Sequence, residues 1–443
     1  MNRSKKHTLS FIPVFLLAGW LGLTFYGCGS DSSTHPGTLD TSFNSPLGYA
    51  LFSSRADIRD RGTKLVIQPD GKIVVAGYSN DGKHNDLLVL RYDATGALDN
   101  DFGTGGAFFY SGSGDNMAFG LTLQPDGKIV VVGRTQTNGN NDVLTLRLNS
   151  NGTLDATFGL GGVVVYIGPG GGTDTGRGVV VQPDGKILVS CESFNGRQKD
   201  AIILRYNPNG ALDNSFGTAG VARYSGTGQG DTYGFGITLQ PDGKIVQTGN
   251  GVFAGKTKED VILLRYLPNG TLDTSFASGG VFTYSSEGDF DDFGDLVVLQ
   301  PNGRILVVGG TWNTANSDIM VLRCDSTGVL DKNFGTNGVV RLGTPADYDY
   351  AWGLALQNDG KILVVGTSAP NNVYHAVVYR LNVDGTPDDR FGAGGVYTYP
   401  VPGGYDAVAY SVGVQTGGKI VVAGYQHTPD SSDNVLVFRL MGD

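Results

Sequence analysis

The sequence predicts an all-β protein, a seven-bladed β-propeller of four-stranded antiparallel blades built from seven repeats of about 58 residues. Three observations carry that expectation. The stretch Gln68-Pro69-Asp70-Gly71-Lys72-Ile73 returns at Gln124, Gln182, Gln240, Gln300, Gln357 and Gln415, in steps of 56, 58, 58, 60, 57 and 58 residues. Self-similarity at such a period marks a repeat architecture. The 70 glycines among 443 residues are too many for a helical protein and lack the three-residue period of collagen. Finally, segments such as Val163-Val164-Val165-Tyr166 and Gly178-Val179-Val180-Val181 are apolar throughout. They need cover on both faces, which stacked blades provide and a barrel does not.

Taken in order, residues 1–28 read as a targeting segment. Arg3, Lys5 and Lys6 form a basic start, Thr8 to Gly27 carries no charge, and Gly27-Cys28-Gly29 follows. A small residue before Cys at the end of an apolar run resembles a bacterial lipoprotein signal. That resemblance implies lipidation of Cys28, and Gly29 after it implies the outer membrane. Phe25 and Tyr26 depart from the usual pattern, and the uncharged run is long enough for an uncleaved transmembrane anchor. Both readings put the rest of the chain outside the cytoplasm. Residues 29–37 form a flexible tether, and 38–443 the propeller.

Each unit supplies four strands. In the third, Leu154-Asp155-Ala156-Thr157-Phe158-Gly159 leads to strands at 163–166, 178–181, 187–189 and 201–206. Between the second and third strands, Pro presets a type I turn and Gly takes the position of positive φ. A β-solenoid would need shorter coils and capping units, whereas the first and last units here are as regular as the others. The joint spacing of Leu-Asp-x-x-Phe-Gly, Gln-Pro-Asp-Gly-Lys and an Arg-bearing fourth strand resembles the bacterial delta-60 repeat, a β-propeller repeat family of largely uncharacterised function. The resemblance covers residues 38–440, with departures at Asn302, Arg304, Asn358, Thr416-Gly417-Gly418 and Pro387. It implies a propeller and brings no catalytic motif.

Seven internal copies show what the unit itself demands. An Arg ends every fourth strand, from Arg91 to Arg439, and an Asp sits in every Leu-Asp-x-x-Phe turn, from Asp40 to Asp388. The expectation is a structural Arg–Asp pair per blade, with the repeated Phe as an interblade plug. In an up-and-down blade these turns lie on one side of the disc, and the variable loops 111–117, 167–176, 285–293, 343–350, 400–407 and 425–433 lie on the other. The candidate site is this variable face, since rigid scaffolds mount binding groups on loops.

On it, Asp289, Asp291 and Asp292 with Glu287, and Asp347 with Asp349, are acidic loops able to offer carboxylate oxygens to Ca²⁺, or to form a solvated rim with Asp115, Asp174, Asp231 and Asp406. Trp312, Tyr348, Tyr350, Trp352 and Tyr405 suit platforms for a sugar or a protein, or packing between blades. His84, His375 and His427 become neighbours by unit if the ring closes. No nucleophile elbow, zinc-protease motif, haem-attachment motif or phosphate cradle occurs, and no cofactor is called for beyond that Ca²⁺. The net charge of −10 argues against nucleic acid. Cys191 and Cys324 fall at different repeat positions and read as buried apolar residues, not a disulfide. The function expected is binding or scaffolding of an extracytoplasmic protein or polysaccharide. The alternative is a hydrolase or lyase at the channel mouth, using Asp289, Asp291, His427 or His375.

Overall fold

A computed structural model describes residues 35–55, 59–80, 82–112, 114–226, 230–344, 347–401, 403–429 and 432–443. The targeting segment, Cys28 and most of the tether lie outside the described residues. Within the unit His35–Asp443, described residues form seven four-stranded antiparallel blades. Among them no helix is long and apolar enough to cross a membrane.

Blade two consists of Asn116–Leu123, Ile129–Thr137, Asn140–Leu148 and Val163–Tyr166, counted from the inside outward. The last of these is the first strand of the third sequence unit, so blade and repeat are offset by one strand. The reason is local. The Leu-Asp-x-x-Phe-Gly turn folds the chain straight back along the strand it has just left, and a short hairpin closes at the lowest entropic cost. The offset leaves blade seven one strand short at the C-terminus, and Tyr49–Phe52 fills the gap. It pairs antiparallel with Asp433–Leu440, from Tyr49 opposite Phe438 to Phe52 opposite Val435. The ring is thereby closed by a strand from the other end of the chain.

The repeated residues do what their repetition demands. Gly71 has φ 84° and donates its amide to Gln68 O at 2.9 Å, completing the turn between the inner and second strands. Arg91, Arg147, Arg205, Arg265, Arg323, Arg380 and Arg439 pair with Asp99, Asp155, Asp213, Asp273, Asp331, Asp388 and Asp40 at 2.7–2.9 Å. Each guanidinium lies over the ring of the repeated Phe, 4.3–4.8 Å from its centroid. Arg147 and Arg205 also donate to Pro208 O and Pro268 O in the next blade, at 2.5 and 2.6 Å.

The core is not single. Seven apolar clusters lie one between each pair of neighbouring blades. Between blades one and two, Val74, Leu87 and Phe102 meet Ala118, Ile129 and Leu144. Between seven and one, Val421 and Val435 meet Leu65, Ile73 and Phe43. Every repeated Phe is fully buried, and Cys191 and Cys324 are buried free thiols.

Candidate functional site in the central channel

The inner strands surround a central cavity of about 360 Å³, at the lower end of the ~300–1,000 Å³ usual for ligand pockets. How the sequence furnishes that cavity is set by one irregularity. In six blades a Gly on the second strand lies so close to the inner strand that no side chain fits: a Cβ at Gly77 would stand 1.8 Å from Arg61 O, and one at Gly366 1.8 Å from Tyr350 O. At this point the pairing of the inner strand slips in every blade, between Gly62 and Lys64 in the first and between Ala351 and Gly353 in the sixth. The bulges leave Thr63, Phe119, Arg177, Phe235, Asp295, Trp352 and Tyr410 outside the ladder. A bulge re-aims the side chain it carries, and all seven line the cavity.

Across one side runs a chain of aromatic rings. Tyr348, 39% exposed at the variable face, meets Trp312 edge-on with centroids 6.0 Å apart. Trp312 meets Tyr350 at 6.3 Å, Tyr350 stacks on Trp352 at 5.9 Å, Trp352 contacts Tyr410 at 4.9 Å, and Tyr410 contacts Tyr425 at 6.0 Å. The track ends where the Arg61 guanidinium lies 4.1 Å from the Tyr425 centroid and pairs with Asp433 at 2.6 Å. Burial, helped by Asp433 and Asp406, pushes the Tyr425 hydroxyl up to about 12 against the pull of Arg61, so it remains a proton donor at neutral pH.

The other side is cationic. Arg177 lies between Phe119 and Phe235, 4.9 and 5.4 Å from their centroids, and Arg134 is 5.7 Å from the Phe119 centroid. Glu192 takes both Arg177 and Lys199, each at 3.3 Å. Lys64 and Asp295 keep some accessible surface yet are enclosed by the ring. Burial pushes Lys64 down to about 8 against the pull of Asp295, and pushes Asp295 up to about 7 against Arg177 and Lys64. Two groups of opposite sign thus titrate near neutrality in one enclosed space.

The residues singled out from the sequence divide. Trp312, Tyr348 and Tyr350 belong to the aromatic track. Tyr405 lies 6.1 Å from His427, whose Nδ1 is 2.9 Å from Asp433, so both sit at the far end of the track. Asp289 pairs with Lys256 and Asp291 with Lys258, each at 3.0 Å. Asp347 accepts from Thr344 Oγ1 at 2.5 Å. Asp292 is fully buried, and its carboxylate takes the Ser286 amide at 2.6 Å, fixing the loop into its strand. The recurring acids are not simply a solvated rim: Asp115, Asp231 and Asp291 each accept the amide that starts the third strand of the preceding blade, and Asp406 the Tyr374 amide just before it, at 2.8–3.0 Å. Among the described residues, no three His, Cys, Asp or Glu side chains are gathered to hold a metal.

Of the bulge residues, sequence reasoning singled out Trp352 and passed over the other six, along with Lys64 and Arg134. A signal was there: five residues before each repeated Gln stand Thr63, Phe119, Arg177, Phe235, Asp295, Trp352 and Tyr410. That is a non-repeating position inside a repeating strand.

Fold and channel define the chain as a seven-bladed β-propeller with a furnished central cavity. Six of its repeats, at residues 68–102, 124–158, 182–216, 240–276, 300–334 and 357–391, match the model of a β-propeller repeat family of uncharacterised function, described as "Domain of unknown function (DUF5122) beta-propeller". No curated protein matches the chain. Among solved structures the fold is similar to the polysaccharide lyase Uly1, with TM-score 0.50 and 13% identity over 88% of this chain and 91% of that one. It is also similar to a protein of unknown function from Dyadobacter fermentans, with TM-score 0.47 and 10% identity over 90% and 98%. The arabinanase Arb43A of Bacillus subtilis follows with TM-score 0.35 and 10% identity over 73% and 95%. At such identities the likeness is one of fold.

Proposed function

We propose that this protein binds a polysaccharide chain, taken up along the aromatic track from the variable face into the central channel. We further propose that it does so at the bacterial envelope, anchored through Cys28. The observation that carries the reading is the run of six rings from Tyr348 to Tyr425. Aromatic faces suit the apolar C–H faces of sugar rings, and tyrosine hydroxyls and Trp N–H groups supply hydrogen bonds at the edges. Most of these rings are half-buried, which leaves area for a ligand. A cavity of about 360 Å³ admits a linear chain and not a folded domain, so a glycan fits better than a protein partner.

A second reading, cleavage of the bound chain, is favoured by Lys64 and Asp295, whose ionisation lies close to neutrality as an acid–base pair requires. Uly1, named a polysaccharide lyase, shares the fold, and the reading rests on these two side chains rather than on that likeness. The test is a glycan panel presented to the full chain in detergent, with chain length of each glycan followed afterwards. Binding to one glycan class is expected; the absence of binding across the panel would sink the proposal, and shortened chains would favour the second reading. Labelling by radioactive palmitate, lost in Cys28→Ser, checks the anchor, and a parent chain that takes up no label would refute it.

A further inference from the structure

On the cationic side of the channel three cations, Lys64, Arg134 and Arg177, meet the carboxylates of Asp295 and Glu192, and burial pushes Asp295 up to about 7, so that near neutrality it answers only part of their charge. The chain as a whole carries a net charge of −10, so a wall bearing Lys64 and Arg177, with Arg134 against its lining residues Met117 and Phe119, runs against its general character. Arg177 shares Glu192 with Lys199, both at the long distance of 3.3 Å. Arg134 forms no ion pair among the described residues, and its one polar contact there is from Nη2 to the Met117 sulfur at 3.2 Å. The Nε atoms of both arginines are shut off from solvent and have no hydrogen-bond partner. Burial and then the charge of Arg177 push the Arg134 guanidinium down, against the pull of Asp115 and Glu192, neither of which reaches it as an ion pair. Lys64 is likewise in no ion pair among the described residues, and it lines the same cavity as Arg177, Trp352 and Tyr410. Unpaired cations in an enclosed site are costly, and an oxyanion that accepts from two guanidinium forks relieves the cost.

We propose that Arg134, Arg177 and Lys64 form an anion subsite that receives the carboxylate or sulfate of an acidic glycan whose sugar rings lie on the aromatic track. The inference rests on the glycan-binding reading and narrows it to a substrate class. The two guanidinium groups gathered at Phe119 present their forks to the anion, and the Lys64 ammonium supplies a third donor.

The experiment titrates the full chain in detergent with glycan pairs that share a backbone and differ in charge: polygalacturonate and its methyl ester, dextran sulfate and dextran, chondroitin sulfate and chondroitin. In at least one pair the acidic member should bind ten or more times more tightly, and the pair that responds tells carboxylate from sulfate. Arg134→Gln with Arg177→Gln should reduce the acidic member to the level of its neutral twin. Should that variant fail to fold, inorganic sulfate at constant ionic strength should compete with the acidic glycan on the parent chain where chloride does not. Equal affinity within every pair would overturn the anion subsite while leaving glycan binding intact. Absence of binding to all six would overturn both.

Discussion

Arg205 is held from four directions. Its Nε donates to Asp213 at 2.9 Å, one Nη to Pro268 O of the next blade at 2.6 Å, the other to Ser215 Oγ at 3.3 Å, and the plane rests on Phe216. Removing it strands a buried carboxylate and leaves a carbonyl unanswered, so Arg205→Ala should destabilise the fold by about 3–5 kcal/mol. Urea unfolding checks this, and a loss under about 1 kcal/mol would mean that the pair is incidental. That the Arg, the Asp and the Phe belong together was legible without coordinates, because seven copies of one spacing leave a structural reason as the simplest one. That Lys186 of the Gln-Pro-Asp-Gly-Lys turn also reaches Asp213, at 3.1 Å, was not. The two motifs are separated in sequence by a strand pair, and only the blade brings them together.

At the scale of the element, the hairpin formed by the third and outer strands depends on the ionised state of its turn Asp. Burial works against the charge of Asp40 and Asp273, but it is outweighed by hydrogen bonds from Ser42 and Lys419 and by Arg439 in the first, and by those from Ser275 with Arg265 and Lys244 in the second. Both are held at about 2. Since the unfolded chain takes up its proton near 3.8, the stabilisation is complete above about pH 4 and drains away as pH falls towards 2. The share of stability owed to such a pair, read as the difference in melting temperature between the parent and Asp273→Asn, should therefore be level between pH 5 and 7 and shrink steeply below 4; a difference unchanged at pH 3 would show that the ionised pair contributes little. The strands themselves were legible from their apolar runs. Their grouping was not, because a repeat unit read from its motifs starts one strand before the blade it serves.

For the whole molecule, seven interblade cores and a borrowed outer strand make a ring to whose interior each blade contributes its bulge residue. The site was half legible. Trp312, Tyr348 and Tyr350 stand in loops or strand ends where variation draws the eye, whereas Trp352, Tyr410, Arg177 and Asp295 sit within strands whose neighbours repeat. A bulge shows itself in the sequence only as a varying position inside a repeating strand, and until the register is known that position does not say that it faces the channel; Trp352 stood out as an aromatic residue and not as a channel one. The recurring acids drew attention for the opposite reason: several staple one blade to the next.

The central claim is that binding belongs to the bulge positions of the channel and not to the acidic loops of the rim. Calorimetric titration of the full chain with whichever glycan it binds tests this most directly, comparing Trp352→Ala with the rim double variant Asp289→Ser and Asp347→Ser. Loss of a central aromatic platform should weaken binding by about 2 kcal/mol, roughly 30-fold, while the rim variant binds as the parent does and both unfold near the parent's temperature. A rim variant that no longer binds, beside a Trp352→Ala protein that does, would contradict the account.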